Sequence, residues 1–298
     1  MNIKQYILIA SIGFLLFSCG EQAGKTEIEV DIDPPEEPTI DIREKSDKIT
    51  KIFFNIPSPI ETSKILQDAG ATYEFKLPSN PSAVDDYQSI VEQSLNMGIY
   101  GADLNYASVF DQTTETMLYL QCARTLGNNL GLGQVFDEET IDRIDLNLEI
   151  KDSMQVIITE IFWEMNSYLE EEGRQSISAL IILGGWVEGV YLSTQLAIIA
   201  PDNEILKLRI AEQKYSLTNL IGLLNSYEDD DISPDILEEL QELDAIFNNI
   251  TAVKTTGENH KDENGVTTIG GSIKLGMNDA ILGEITAKVV EIRTDIIN

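Results

Sequence analysis

Apolar positions recur at helical spacing along most of this chain. Ser58, Pro59 and Glu61 read as a cap, a proline at the first helical position and an early acid, opening a helix that stops at Gly70. After a connector over 71–80, Ser82 is positioned to cap a second helix, with Asp85 and Asp86 in its first turn. Val84, Tyr87, Ile90, Val91 and Leu95 then repeat every three or four residues. Gly98 and Gly101 are expected to break it ahead of a long helical segment over 102–126, and a glycine-rich turn follows at 128–133. Further helical patterns cover 137–149, 152–172, 175–199, 203–226, 234–252 and 277–297. Only 253–275 alternates, around the hairpin-type dipeptide Asn264-Gly265. The expected fold is all-α: an antiparallel multi-helix bundle with a short β-hairpin near the C-terminus, and residues 48–298 forming a single helical domain. No fixed repeat period supports a solenoid.

The segment 176–200 (SISALIILGGWVEGVYLSTQLAIIA) is apolar nearly all round, so it is either a buried central helix or a membrane span. Gly184, Gly185 and Glu188 in its middle favour the buried helix. Gly185 and Gly189, four residues apart, would let a neighbouring helix approach closely.

Charge narrows the function classes. The 298 residues carry 51 acids against 20 bases, a net charge of -31. Nucleic acid is excluded as a partner, because a binder needs Lys and Arg to displace counterions from phosphates. Docking on an anionic lipid surface is disfavoured for the same reason. A lone histidine, His260, removes most imidazole-based metal and acid–base schemes. Glu160 and Glu164 share a helix face, but the Glu-x-x-His that usually completes a carboxylate-bridged metal site is missing. Neither a catalytic residue, a metal site nor a cofactor is expected. The stretch GNNLGLG at 127–133 follows a helix rather than a strand, so it is not a nucleotide loop. The acidic run 228–231 lacks the alternation and glycine of a calcium loop and reads as solvated.

The N-terminus reads as an address. A short basic start leads into the apolar run YILIASIGFLLF at 6–17, too short to span a bilayer, and then Ser18-Cys19-Gly20. This order resembles the lipobox of bacterial lipoproteins, and the resemblance covers about twenty residues. It implies that residues 1–18 are a signal peptide and that Cys19 is lipidated, palmitate included, and becomes the N-terminus. An ordinary cleaved secretory signal with an incidental cysteine is the alternative. Gly20 in place of Asp implies, by the same resemblance, release to the outer membrane; the leaflet stays open. With Cys19 acylated, Cys122 is the remaining thiol, and its apolar helical setting reads as a buried structural cysteine. Residues 19–47 combine acids with Pro34, Pro35 and Pro38, the composition of a disordered spacer spanning on the order of 25–30 Å. The whole resembles envelope lipoproteins of Bacteroidota, which implies a compartment but supplies no activity.

Candidate chemistry centres on Glu188, a carboxylate in an apolar helix that must be paired, protonated or turned to a cavity. Between 84 and 200 the bases are Arg124, Arg143, Lys151 and Arg174 against nineteen acids, and Arg124 is the natural ion-pair partner. Asp103 is a second carboxylate among aromatic residues. Two accounts follow: a structural polar cluster, or a ligand pocket lined by Tyr100, Asp103, Tyr106, Arg124, Trp186 and Glu188. The expected function is a lipid-anchored envelope protein acting as a binding module, with a protein partner or a small ligand. A hydrolase using Asp103 and Glu188, or a purely structural subunit of an envelope complex, are the alternatives. An open cleft at Glu188 would favour ligand or substrate; a closed ion pair would leave only the surface.

Overall fold

A computed structural model describes residues 59–227, 232–256, 260–261, 267–268 and 271–298, with backbone alone at 59–60 and 252–274. The signal peptide, Cys19 and the spacer over 19–47 lie outside the described residues, as do 228–231 and the Asn264-Gly265 turn.

Capping chemistry fixes most helix starts. Helix α1, Pro59–Asp68, ends before Gly70, whose φ of 80° favours a residue without Cβ. The expected start at Ser82 is a single 3₁₀ turn, Pro81–Ala83, capped by Asn80. Helix α2 begins seven residues later as Ile90–Val109. Ser89 Oγ accepts from Glu92 N at 3.1 Å while Glu92 Oε2 accepts from Ser89 N at 2.8 Å. Ser82, with Asp85 three residues on, lacks the Glu or Gln of such a box and lies inside the turn that Asn80 caps.

Gly98 and Gly101 do not break α2, and the long helix expected over 102–126 is instead two. Asp111, at φ 58°, turns the chain left-handed after Val109, and α3 is Thr113–Asn129. An aspartate tolerates that conformation, so the corner carries neither glycine nor proline. Helices α4 (Glu138–Asn147), α5 (Lys151–Glu171), α6 (Gln175–Ile199) and α7 (Glu204–Leu224) follow. Helix α8 is Pro234–Phe247, shorter than its pattern, because residues from Thr251 on enter a strand. Helix α9, Asp279–Ile297, closes the chain under an Asn278 cap.

Between α8 and α9 lies the hairpin. Strand β1 (Thr251–Thr256) pairs antiparallel with β4 (Gly271–Gly276), in register from Thr251↔Gly276 to Thr256↔Gly271. Farther out, β2 (His260–Lys261) pairs with β3 (Thr267–Thr268). The fold is an all-α multi-helix bundle carrying this ribbon.

Helices α2 and α6 form its centre and cross closely. A Cβ at Gly98 would overlap the Ile181 carbonyl, and one at Gly184 would overlap that of Leu95. The close approach uses Gly184 beside the expected Gly185, whose N would lie 2.6 Å from a Cβ on Gly98, while Gly189 makes room for Thr62 of α1 at 3.1 Å. On one side, α3, α4 and α5 pack around Leu126, Leu132 and Ile158; on the other, α7, α8 and α9 enclose Leu180, Leu240 and Phe247. Each such leucine contributes about 1.5–3 kcal/mol by leaving water. A third cluster seats α1 through Leu66 against Tyr106, Leu196 and Ile210. Among the described residues α6 is long and apolar enough to cross a membrane, yet 89% of its most apolar stretch is buried against these neighbours.

Candidate functional site

Glu188 lies at the centre of α6 and is fully buried. Its counter-ion is Arg293 of α9, 105 residues away, and not Arg124. Arg293 donates from Nε to Glu188 Oε2 at 2.5 Å and from Nη2 to Oε1 at 2.9 Å, a bidentate fork. Nη2 also reaches Ser79 Oγ at 2.7 Å and the Leu77 carbonyl at 3.4 Å. The guanidinium stands 4.0 Å from the centroid of the Tyr191 ring. Burial pulls the Arg293 pKa down, but Glu188 more than offsets this and the net shift is upward.

Asp103 of α2 completes the cluster and is equally buried. Its Oδ2 accepts from Ser79 N at 2.9 Å, while Oδ1 is buried and receives no hydrogen bond. Burial, then the Glu188 charge, push the Asp103 carboxyl well above the usual carboxylate range. Burial raises Glu188 too, but Arg293 and the hydrogen bond from Asp103 hold it back. One guanidinium cannot neutralise two carboxylates, so Asp103, the more strongly raised of the two, keeps its proton and shares it with an ionised Glu188. The cluster is then neutral and every charge has a partner.

The aromatic candidates serve the same assembly. Residues 71–80 cross this end of the bundle with no regular structure, so their backbone groups need side-chain partners. Tyr106 Oη donates to the Thr72 carbonyl at 3.3 Å and accepts from Glu74 N at 3.0 Å. Tyr119 Oη donates to the Ser79 carbonyl at 3.1 Å, and Tyr100 Oη to that of Asn80 at 2.8 Å. Burial raises all three phenols, Tyr106 to about 12. The space that the sequence suggests for a ligand is filled by the chain's own strap.

Two candidates stand elsewhere. Trp186 is buried in the core of the α7–α9 side, its Nε1 donating to Gln213 Oε1 at 3.2 Å. Arg124 is exposed on α3, because Leu120, Cys122, Ala123 and Leu126 take the buried positions of that helix. Sequence reasoning missed Arg293, Ser79 and Tyr119. The only sequence signal for Arg293 was an arginine on the apolar face of the last helix, between Val289 and Ile296.

Cys122 is buried, as expected, and burial pushes its thiol up to about 11. Glu160 pairs at the surface with Arg143 at 2.5 Å. Among the described residues no group of three or more His, Cys, Asp or Glu is placed to hold a metal ion. Neither of two cavities touches the Asp103–Glu188–Arg293 cluster: one is a small apolar void beside Met97 and Phe162, the other a groove of about 380 Å³ between α3 and α4. Arg124 is the one sequence-predicted site residue that lines this groove.

No known protein family, curated protein or solved structure matches this chain.

Proposed function

We propose that this chain is a lipid-anchored component of a bacterial cell envelope that works by binding and not by catalysis. Residues 1–18 direct export, Cys19 carries the lipid in the outer membrane, and residues 20–47 link it to the helices. What carries the binding reading is the sealing of Asp103 and Glu188. An acid–base pair must reach a substrate atom within hydrogen-bond distance, or through one water. Both carboxyl groups are instead fully buried and engaged by Arg293 and the strap over 71–80. The surface is left as the working face, and its strong negative charge keeps the protein off nucleic acid and anionic lipid.

Two measurements test this. Labelling cells with a radioactive fatty acid should mark the wild-type protein and leave Cys19→Ser unmarked and released from the membrane; label retained on Cys19→Ser would end the anchor assignment. Native mass spectrometry of protein taken from its own envelope should show an added small-molecule or polypeptide mass. A bare mass under gentle conditions, together with turnover of a hydrolase substrate that Glu188→Gln abolishes while still folded, would replace binding with catalysis.

A further inference from the structure

The groove between α3 and α4 holds an unpaired arginine. Of the arginines in the described residues, Arg143, Arg209 and Arg293 each bind a carboxylate, and Arg174 donates to the Leu130 carbonyl at 2.9 Å. Arg124 has no hydrogen-bond or ion-pair partner among them, in a chain where acids outnumber bases 51 to 20. It lines the groove from α3. Asp145 lines it from α4 and is likewise free of any ion pair among the described residues. Opposite charges thus sit on the two helices that form the groove, and neither neutralises the other.

The remaining lining sorts by chemistry. Met117 and Leu120 from α3 meet Ile141 and Ile144 from α4 to make an aliphatic floor, with Leu120 and Ile144 almost fully buried. Gln121 adds an amide that both donates and accepts. At about 380 Å³ the groove falls at the small end of the range for ligand sites, roughly 300–1,000 Å³. That suits two or three residues of peptide and is far too little for a folded partner.

The geometry points to a short zwitterionic peptide with aliphatic side chains as the occupant. Its terminal carboxylate meets the Arg124 guanidinium, its ammonium meets Asp145, its side chains lie on the aliphatic floor, and Gln121 takes a peptide group. The charge pattern is selective. A simple anion satisfies Arg124 but meets the field of a strongly acidic protein, and a simple cation leaves Arg124 empty. A molecule with separated ends of both signs satisfies both walls and adds no net charge. This assignment rests on the binding reading above and names the ligand class of that surface.

Trileucine titrated calorimetrically into the full mature chain in lipid nanodiscs is the test, with acetyl-trileucine-amide as the capped control. Trileucine should bind with a Kd of about 1 mM or tighter. Blocking its carboxylate, or making Arg124→Ala, should each weaken binding at least about tenfold, and the two losses should not add, because they remove the same contact. Asp145→Asn should weaken trileucine and leave N-acetyl-trileucine unaffected. Both side chains are exposed, so unchanged thermal melting shows that the variants are folded. Absence of binding at that concentration overturns the peptide assignment, as does equal binding of capped and free peptide. An envelope-derived adduct or partner that survives Arg124→Ala would likewise overturn it while leaving the broader binding function in place.

Discussion

Replacing Arg293 with methionine keeps an unbranched side chain of related shape and removes the cation that, among the described residues, answers two buried carboxyl groups. Glu188 is 0% exposed and accepts two N–H groups from Arg293, at 2.5 and 2.9 Å. Breaking such a pair from one side costs about 3–5 kcal/mol, because the remaining charge stays buried and unpaired. Ser79 Oγ and the Leu77 carbonyl lose a donor in the same step. Against a total stability of about 5–15 kcal/mol this is a large fraction. It corresponds to a fall in Tm of roughly 6–20 °C, at about 2–4 °C per kcal/mol for a fold of this size. Asp103→Asn should be mild by contrast, within about 1 kcal/mol, since an asparagine amide donates to Glu188 where the protonated Asp103 does now. Glu188→Gln should match Arg293→Met in severity, and the double variant should cost clearly less than the sum of the two. Urea unfolding followed by circular dichroism gives all four values. If Arg293→Met costs less than about 1 kcal/mol, or Asp103→Asn costs as much as Glu188→Gln, the assignment of one proton and one ion pair to this cluster is wrong.

The proton on Asp103 makes a separate prediction in pH. Its folded pKa is raised above the unfolded value of about 3.9, so the fold holds a proton that the unfolded chain releases. Stability from this group is fully present below about pH 4 and declines as pH rises toward the folded pKa, by about 1.4 kcal/mol per unit. Asparagine does not titrate, so the stability of Asp103→Asn relative to wild type should rise with pH across that window; parallel pH curves would show that Asp103 is ionised in the fold. Gly184→Ala should cost at least about 1–3 kcal/mol, because the added carbon meets the Leu95 backbone, which cannot swing aside; a thermal melt within about 1 °C of wild type, below the roughly 2–4 °C expected for 1 kcal/mol, would refute the close α2–α6 crossing. Cys122, buried with its thiol pushed up to about 11, should react with a disulfide reagent at neutral pH only as fast as the protein opens; rapid labelling without denaturant would contradict its burial. Tyr106→Phe should cost about 1–3 kcal/mol by leaving Glu74 N without its acceptor, read as a shifted urea midpoint at unchanged slope.

Most of the helices were legible because their information is local. Apolar spacing, Ser and Asn caps and glycine stops act within a few residues, so α5, α6, α7 and α9 appear near their predicted bounds. The errors fall where two local signals competed. Ser82 is the expected cap, but the helix starts at Ser89, whose capping box with Glu92 the apolar spacing alone does not reveal. Gly98 looks like a helix breaker because its cost in an isolated helix is intrinsic. What outweighs that cost is α6, more than eighty residues away, which can approach only where Cβ is missing.

Residue order and composition alone call for an acidic, helical protein with a carboxylate in its most apolar helix. Burial of Glu188 follows from composition, since a helix that is apolar all round has no wet face on which to place it. Which cation answers it did not follow. Arg124 is near in sequence, but α3 uses Leu120, Cys122 and Leu126 to bury its inner face and turns Arg124 outward. Arg293 arrives from the far end of the chain, carried in by the packing of α9 on α6. The same holds for the pocket that the tyrosines suggested: its polar groups are real, but the connector over 71–80 occupies them, because an irregular segment under cover must find hydrogen-bond partners somewhere. Periodicity and capping are properties of neighbours along the chain. Charge pairing in a core belongs to whichever side chains the fold brings together, and at 105 residues' separation only the tertiary structure could choose.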